Sequence, residues 1–308
     1  MPDHRNVRVV VPASTANLGP GFDCLGLALS LHNEVELSLA DSGLRVENEG
    51  EGASELPTGE ENLIVRAARR LFEHVGKDVS GLHVRAVNRI PLAAGLGSSA
   101  ATVVGALVAA DRLVEAKLDQ EQLLRLAYEM EGHVDNAAAS LFGGLVLVAP
   151  DGPAALTRRV EIPPPRVVVT TPEFGLSTGS MREALPAQVP FEDAVFNMGR
   201  ALMVVEALRT ADYALLAAAL RDRLHQSARS AHIRGYADVV SGALSAGASG
   251  AAISGAGPSL IAFAPSAHEA IAGAMVDAWR AVGIGARARI LDVAPQGARV
   301  ARSGGDEV

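Results

Sequence analysis

One cysteine, Cys24, stands in a chain of 308 residues, so no disulfide can form within it. That usage suits a reducing cytoplasm, and a lone cysteine is more often a packing residue than a reactive thiol. No run of lysine or arginine forms a basic stripe, and the net charge is −8 with a pI of about 5.5, which argues against nucleic acid as a partner. No window is apolar for long enough to cross a bilayer, because glycine or charge interrupts the longest apolar runs. Residues 1–11 carry charges around a short valine run and lack the apolar region of a secretory signal. No membrane partner and a cytoplasmic location are therefore expected.

What the chain does have is apolar bulk. At 49% hydrophobic and 20% charged residues it can bury a large core, and its length favours two domains. Pro150-Asp151-Gly152-Pro153 and Pro163-Pro164-Pro165 punctuate the middle and predict a boundary between residues 1–160 and 161–308.

The densest chemical signal is Gly95-Leu96-Gly97-Ser98-Ser99-Ala100. An extended stretch, residues 84–90, precedes it, and a long alanine-rich apolar stretch follows, so the pattern reads strand, glycine turn, buried helix. Two glycines let the backbone approach a ligand, and Ser98 or Ser99 is expected to cap the helix. Unpartnered amides and the positive dipole end make such a helix start an anion site, and phosphate is the obvious guest. A Walker A loop is excluded because no Gly-Lys-Ser/Thr closes the stretch. The G-x-G-x-x-A spacing fits a dinucleotide fingerprint. However, a second helical pattern follows the helix, where that fold wants a strand ending in an acidic residue.

Elsewhere, a strand is predicted over residues 7–11, stopping at Pro12. The long Gly/Pro/Ser/Asn loop that follows offers Asn17 and Asp23 as ligand contacts or turn caps. Residues 34–39 alternate as a half-buried strand, and after a turn at Asp41-Ser42-Gly43 the segment 44–46 is expected to pair back onto it. Asn62 opens an amphipathic helix; Asp119 and Gln122 form a capping-box pattern for another, which ends at Glu131-Gly132. A carboxylate there opposes the helix dipole, so Glu131 is expected to be solvated or to face a cation. His133-Val134-Asp135-Asn136 follows as a dense polar cluster, with His133 read as a structural hydrogen-bonding residue. A second glycine loop, residues 250–259, lies between two short strands, and the tail 303–308 is expected to be disordered.

Three segments together resemble one superfamily, the small-molecule kinases that include galactokinase, mevalonate kinase and homoserine kinase. They are the 12–23 loop, the glycine loop within Pro91-Leu92-Ala93-Ala94-Gly95-Leu96-Gly97-Ser98-Ser99-Ala100, and Gly255-Ala256-Gly257-Pro258. Within it, the 12–23 loop, Glu131-Gly132-His133-Val134-Asp135-Asn136, residues 178–186 and residues 225–229 are most similar to the homoserine kinase family. Val134 replaces a usual proline and Ala228 a common aromatic.

The resemblance implies a two-domain α+β fold, with an N-terminal ATP-binding domain and a ferredoxin-like C-terminal domain. It further implies ATP-dependent phosphorylation of L-homoserine on the route to threonine, with Mg²⁺. By position, Pro91 to Ala101 would hold ATP, Asn62 would lie near the adenine, Ser99 and Glu131 would bind the metal, and Gly255 and Gly257 would support the loop. Asn17, Asp23, Asn136, Arg182 and Arg229 would hold homoserine; a homodimer is possible.

Chemistry fits that division. Arginine forks suit a carboxylate, Asp23 an amine, and Asn136 a hydroxyl. Since an amide cannot accept a proton as a general base, direct transfer is expected. The rivals are a sister kinase for another alcohol, such as mevalonate, and a silent amino-acid-binding member.

Overall fold

In the computed structural model, which describes residues 6–301, the first half of the chain builds β1 (Asn6–Ala16), β2 (Leu25–Ala40), β3 (Gly43–Gly50), α1 (Leu63–His74), β4 (Gly81–Asn88), α2 (Ser98–Leu113), α3 (Gln120–Glu131), α4 (Asp135–Phe142), β5 (Leu145–Asp151) and β6 (Ala154–Val160). These strands share one sheet, ordered β11-β1-β2-β4-β3, where β11 (Arg299–Val300) arrives from the far end of the chain; β5 pairs with the start of β2, and β6 with β5. The expected tail 303–308 lies outside the described residues.

Two strand expectations are corrected. The first strand does not stop at Pro12 but runs to Ala16, with the register shifting between Pro12 and Ala13 so that the proline sits at an irregularity. Nor does β3 pair back on β2. The strand β4 lies between them, antiparallel to β2 and parallel to β3. Ala40 and Gly43 both stand opposite Gly81, so the chain passes over the start of β4. A Cβ at Gly81 would lie 2.6 Å from Ala40 O and 2.7 Å from Ser42 N, and glycine is what lets the crossing be so close.

The second half adds β7 (Arg166–Pro172), α5 (Thr178–Glu183), α6 (Phe191–Thr210), α7 (Tyr213–Ala219), α8 (Gln226–Ser230), α9 (Tyr236–Ser245), β8 (Gly250–Ile253), β9 (Leu260–Phe263), α10 (His268–Ala281) and β10 (Ala286–Asp292). Its antiparallel sheet is ordered β10-β7-β9-β8, the β-α-β-β-α-β ferredoxin-like arrangement. Strand alternation decides which core each side chain joins. Val167, Val169, Ile261 and Phe263 join the larger apolar cluster with α6 and α7. Val168, Leu260 and Ala262 face the smaller one with α9, α10 and the buried Trp279.

The helix α2 lies deepest. It is buried on nearly every side, as its apolar alanine-rich sequence requires, and it packs on β1, β2, α1 and α3. Its N-terminus is thereby fixed at the junction of the two halves. There the late loop between β8 and β9 meets it, through Ser254 Oγ donating to Gly95 O at 2.8 Å and Ser259 N donating to Ala94 O at 3.2 Å.

Candidate active site

The start of α2 is built from behind. On β2, the buried Asn33 accepts from Arg89 N (2.8 Å) and Ile90 N (3.0 Å) with its Oδ1, fixing the chain as it leaves β4. Gly95 and Gly97 then take φ of 76° and 68°. A Cβ at Gly95 would stand 2.2 Å from Ser254 O, so no larger residue fits between the two loops. The serine cap expected from the sequence does not form. Gly97 is the N-cap; Ser98 Oγ turns back to Ile90 O (3.3 Å), and Ser99 Oγ donates to Glu131 Oε1 (2.6 Å). With both hydroxyls drawn elsewhere, the first-turn amides keep no side-chain partner, which leaves them for an anion.

Glu131 ends α3 beside that turn, and its other oxygen lies 3.9 Å from His133 Nε2. Burial alone would lower the His133 pKa, but the hydrogen bond and charge of Asp135 and the charge of Glu131 outweigh it and raise it. Glu131 therefore faces a histidine whose protonated form its charge favours. Asp135, 2% exposed, has its Oδ1 occupied. It accepts from Asn136 N at 2.8 Å and from Asn136 Nδ2 at 3.4 Å, and His133 Nδ1 lies 3.5 Å away, at the limit of a hydrogen bond. Asn136 Oδ1 in turn accepts from Ser14 Oγ at 3.0 Å, which aims its amide across Gly97.

The opposite wall carries charge. Asn17 and Asp23 both adopt left-handed backbone, with φ of 70° and 55°, and Asn17 closes their loop by accepting from Asp23 N (3.0 Å) while donating to Gly255 O (2.7 Å). From α5, Arg182 Nη2 donates to Asp23 Oδ1 at 2.7 Å. Burial lowers its pKa, yet the bond to Asp23 and that carboxylate's charge prevail and raise it. From α8, Arg229 is only 2% exposed; it donates to Gly255 O (3.1 Å) and Met181 O (3.3 Å). Its pKa is lowered by burial first and by Arg182's charge second. The guanidinium carbons of Arg182 and Arg229 lie 5.4 and 5.1 Å from the centre of the Phe22 ring.

These groups border one cleft of about 280 Å³. Of the residues singled out in the sequence, Asn17, Asp23, Ala93, Ala94, Gly95, Gly97, Ser98, Ser99, Ala100, Glu131, Asn136, Arg182, Arg229 and Gly255 line it. Pro91, Leu92, Leu96, Ala101 and Gly257 do not; Leu96 and Ala101 point into the core. Asn62 is also outside, its side chain committed to capping α1 through Ile64 N (2.9 Å) and to Pro57 O (2.8 Å). His133, Asp135, Leu176, Ser177, Thr178 and Ala256 line the cleft without having been singled out as site residues. Only the polar density of 133–136 hinted at the first two. Cys24, beside Asp23, is exposed and so is not the packing residue expected of it, but its thiol pKa is raised by partial desolvation and then by Asp23, which suits an unreactive thiol.

A helix start with open amides facing a charged cleft across a two-sheet α+β scaffold is the arrangement expected of a small-molecule kinase. The chain belongs to the GHMP kinase family: residues 62–144 match the GHMP kinases N terminal domain and residues 204–284 the GHMP kinases C terminal. Among its relatives it is similar to homoserine kinases. That of Moorella thermoacetica is 43% identical over 289 residues, covering 93% of this chain and 96% of the relative. That of Desulfitobacterium hafniense is 40% identical over 296 residues, covering 96% and 99%. The crystal structure of homoserine kinase from Cytophaga hutchinsonii superposes with a TM-score of 0.87 at 32% identity, covering 96% and 98%.

Proposed function

We propose that the chain phosphorylates the hydroxyl of L-homoserine with ATP, giving O-phospho-L-homoserine on the route to threonine. The single observation that carries this reading is the Arg182–Asp23 ion pair facing the open amides of α2 across one cleft. An amino acid brings a carboxylate and an ammonium group together. Arg182, helped by Arg229, suits the first and Asp23 the second, whereas mevalonate brings no amine for Asp23 to receive. The ATP phosphates would rest on the amides from Gly95 to Ser99.

Among the described residues no three His, Cys, Asp or Glu side chains form a metal cage. One hydroxyl and one carboxylate, Ser99 and Glu131, do suit Mg²⁺, which takes few protein oxygens and keeps water and phosphate ligands. When bound, the ion would neutralise charge on the phosphates.

Asn136 would orient the substrate hydroxyl. Its amide is not a base, so direct transfer is proposed, with the proton leaving late, to phosphate or solvent. The enzyme is cytoplasmic in this proposal; among the described residues no helix is long and apolar enough to cross a membrane.

A homodimer belongs to the same proposal. On α6, Phe191, Val195, Met198 and Leu202 are exposed, spaced four, three and four residues apart. A second copy docked on this helix would cover that apolar stripe.

Coupled ADP release with homoserine, mevalonate, galactose and shikimate tests the activity: turnover should be strongest with homoserine. No turnover with any alcohol would favour a silent binding protein.

A further inference from the structure

His225 is 1% exposed, lies outside the cleft, and has no part in the chemistry above. Its two ring nitrogens nevertheless join two parts of the site. Nε2 stands 2.7 Å from Gly19 O, in the loop that carries Asn17 and Asp23; Nδ1 stands 3.4 Å from Arg229 Nη1. A carbonyl only accepts and a guanidinium only donates, so the ring must carry its proton on Nε2 and offer a lone pair at Nδ1. The ring also packs on Phe22, with centroids 5.2 Å apart, and Phe22 is the aromatic face that both arginines approach.

The backbone around His225 is fixed independently. Asp222 accepts from His225 N (2.9 Å), Gln226 N (2.7 Å) and Leu224 N (3.2 Å), and from Asn197 Nδ2 at 2.6 Å. Asn197 Nδ2 also reaches Pro20 O at 3.2 Å. Burial is the largest influence on the imidazole pKa and lowers it. The charge of Arg229 acts the same way, against the opposing effects of Asp222, the Gly19 hydrogen bond and Asp23. A neutral ring is therefore maintained, as the two hydrogen bonds require.

We propose that His225 is a positioning residue: its neutral imidazole aims the Arg229 guanidinium and ties it to the substrate loop, so that its loss weakens homoserine binding selectively. The proposal rests on the reading of Arg229 as a partner of the substrate carboxylate.

The test compares His225→Phe, His225→Gln and Arg229→Ala in the full chain, measuring KM for homoserine and for ATP separately, with melting temperatures as a folding control. Phenylalanine fills the ring's space without its nitrogens, and the homoserine KM should rise at least tenfold while the ATP KM stays within about twofold. Glutamine can donate to Gly19 O and accept from Arg229, and should hold the homoserine KM within about threefold of the parent. A His225→Phe enzyme with unchanged homoserine KM, or with both KM values raised alike, overturns the proposal. If that variant does not fold, a tenfold rise in homoserine KM for a well-folded His225→Gln overturns it instead. An Arg229→Ala enzyme with unchanged homoserine KM would show that the reading of Arg229 is at fault, a failure distinct from that of His225.

Discussion

Arg182 Nη2 and Asp23 Oδ1 lie 2.7 Å apart, joining α5 to the β1–β2 loop across 159 positions of sequence. In the proposed complex each exchanges its partner for the opposite charge of a zwitterion, Arg182 taking the carboxylate and Asp23 the ammonium. Each charge of the substrate then has an opposite charge beside it. Arg182→Ala should remove a charge-assisted contact of about 1.5–3 kcal/mol and raise the homoserine KM tenfold or more, with the ATP KM little changed. Steady-state kinetics with each substrate varied would check this. An unchanged homoserine KM removes Arg182 from the site.

Gly95→Ala tests the interlock of the two glycine loops. The added methyl would stand 2.2 Å from Ser254 O on a backbone with φ of 76°, and both defects push the phosphate turn out of place. The ATP KM should rise at least tenfold. The left-handed backbone adds a stability loss of about 1–2 kcal/mol, visible in a melting curve. Wild-type ATP affinity in a folded variant would contradict the phosphate assignment.

Asn136→Asp asks whether a base is wanted. The new carboxylate would sit against the buried Asp135 and near the phosphates, and like charges so placed resist joint ionisation. The expectation is a fall in kcat of roughly tenfold or more, the cost of a disturbed hydroxyl site and added negative charge. A large gain in kcat would mean that the site lacks a base it could use, against direct transfer.

On the outer face of the first sheet, Glu34 is 7% exposed and held by both Arg8 and Arg89, the latter at 2.9 Å. Burial pushes its pKa upward, but the hydrogen bonds and charges of the two arginines prevail and lower it from the ordinary 4.5. A carboxyl so depressed stabilises the fold fully above its unfolded value, and that contribution fades as pH falls through the folded one. Glu34→Gln should therefore cost about 1–2 kcal/mol at pH 7, discounted because both arginines are half exposed, and progressively less below pH 4.5. Urea unfolding at a series of pH values measures it. A difference that stays constant into strong acid would contradict the ion-pair account.

Leu202→Glu places a charge at the C-terminal end of the exposed α6 stripe, on a side chain that is 68% exposed in the protomer. Sedimentation velocity should show dimers for the parent chain and monomers for the variant. A monomeric parent would remove the dimer from the proposal.

Much of this architecture could be read locally. The capping box of Asp119 and Gln122, the apolar face of α1 and the all-round apolar α2 are written into consecutive residues, and all three form as expected. What escaped was non-local. Nothing near Gly43 tells β3 to seek β4 instead of β2; the signal, if any, is the side-chain-free Gly81, far on in the sequence. β11 is two residues long and exists only because the chain returns to β1. The site shows the same division. Gly95 to Ser99 announce themselves by spacing, whereas Ser177 and Thr178 reach the cleft only because α5 folds over it. Ser98 and Ser99 looked like caps because a hydroxyl at a helix start usually is one. Ile90 O, 8 residues before Ser98, and Glu131, 32 residues after Ser99, draw them away.

The most direct measurement is a crystal structure with a non-hydrolysable ATP analogue, Mg²⁺ and L-homoserine bound together. The account predicts the polyphosphate on the amides beginning at Gly95, its terminal phosphorus about 3–3.5 Å from the homoserine hydroxyl, and the substrate's charges between Asp23 and the two arginines. A nucleotide seated elsewhere with that turn empty, or homoserine bound away from Arg182 and Arg229, would contradict it.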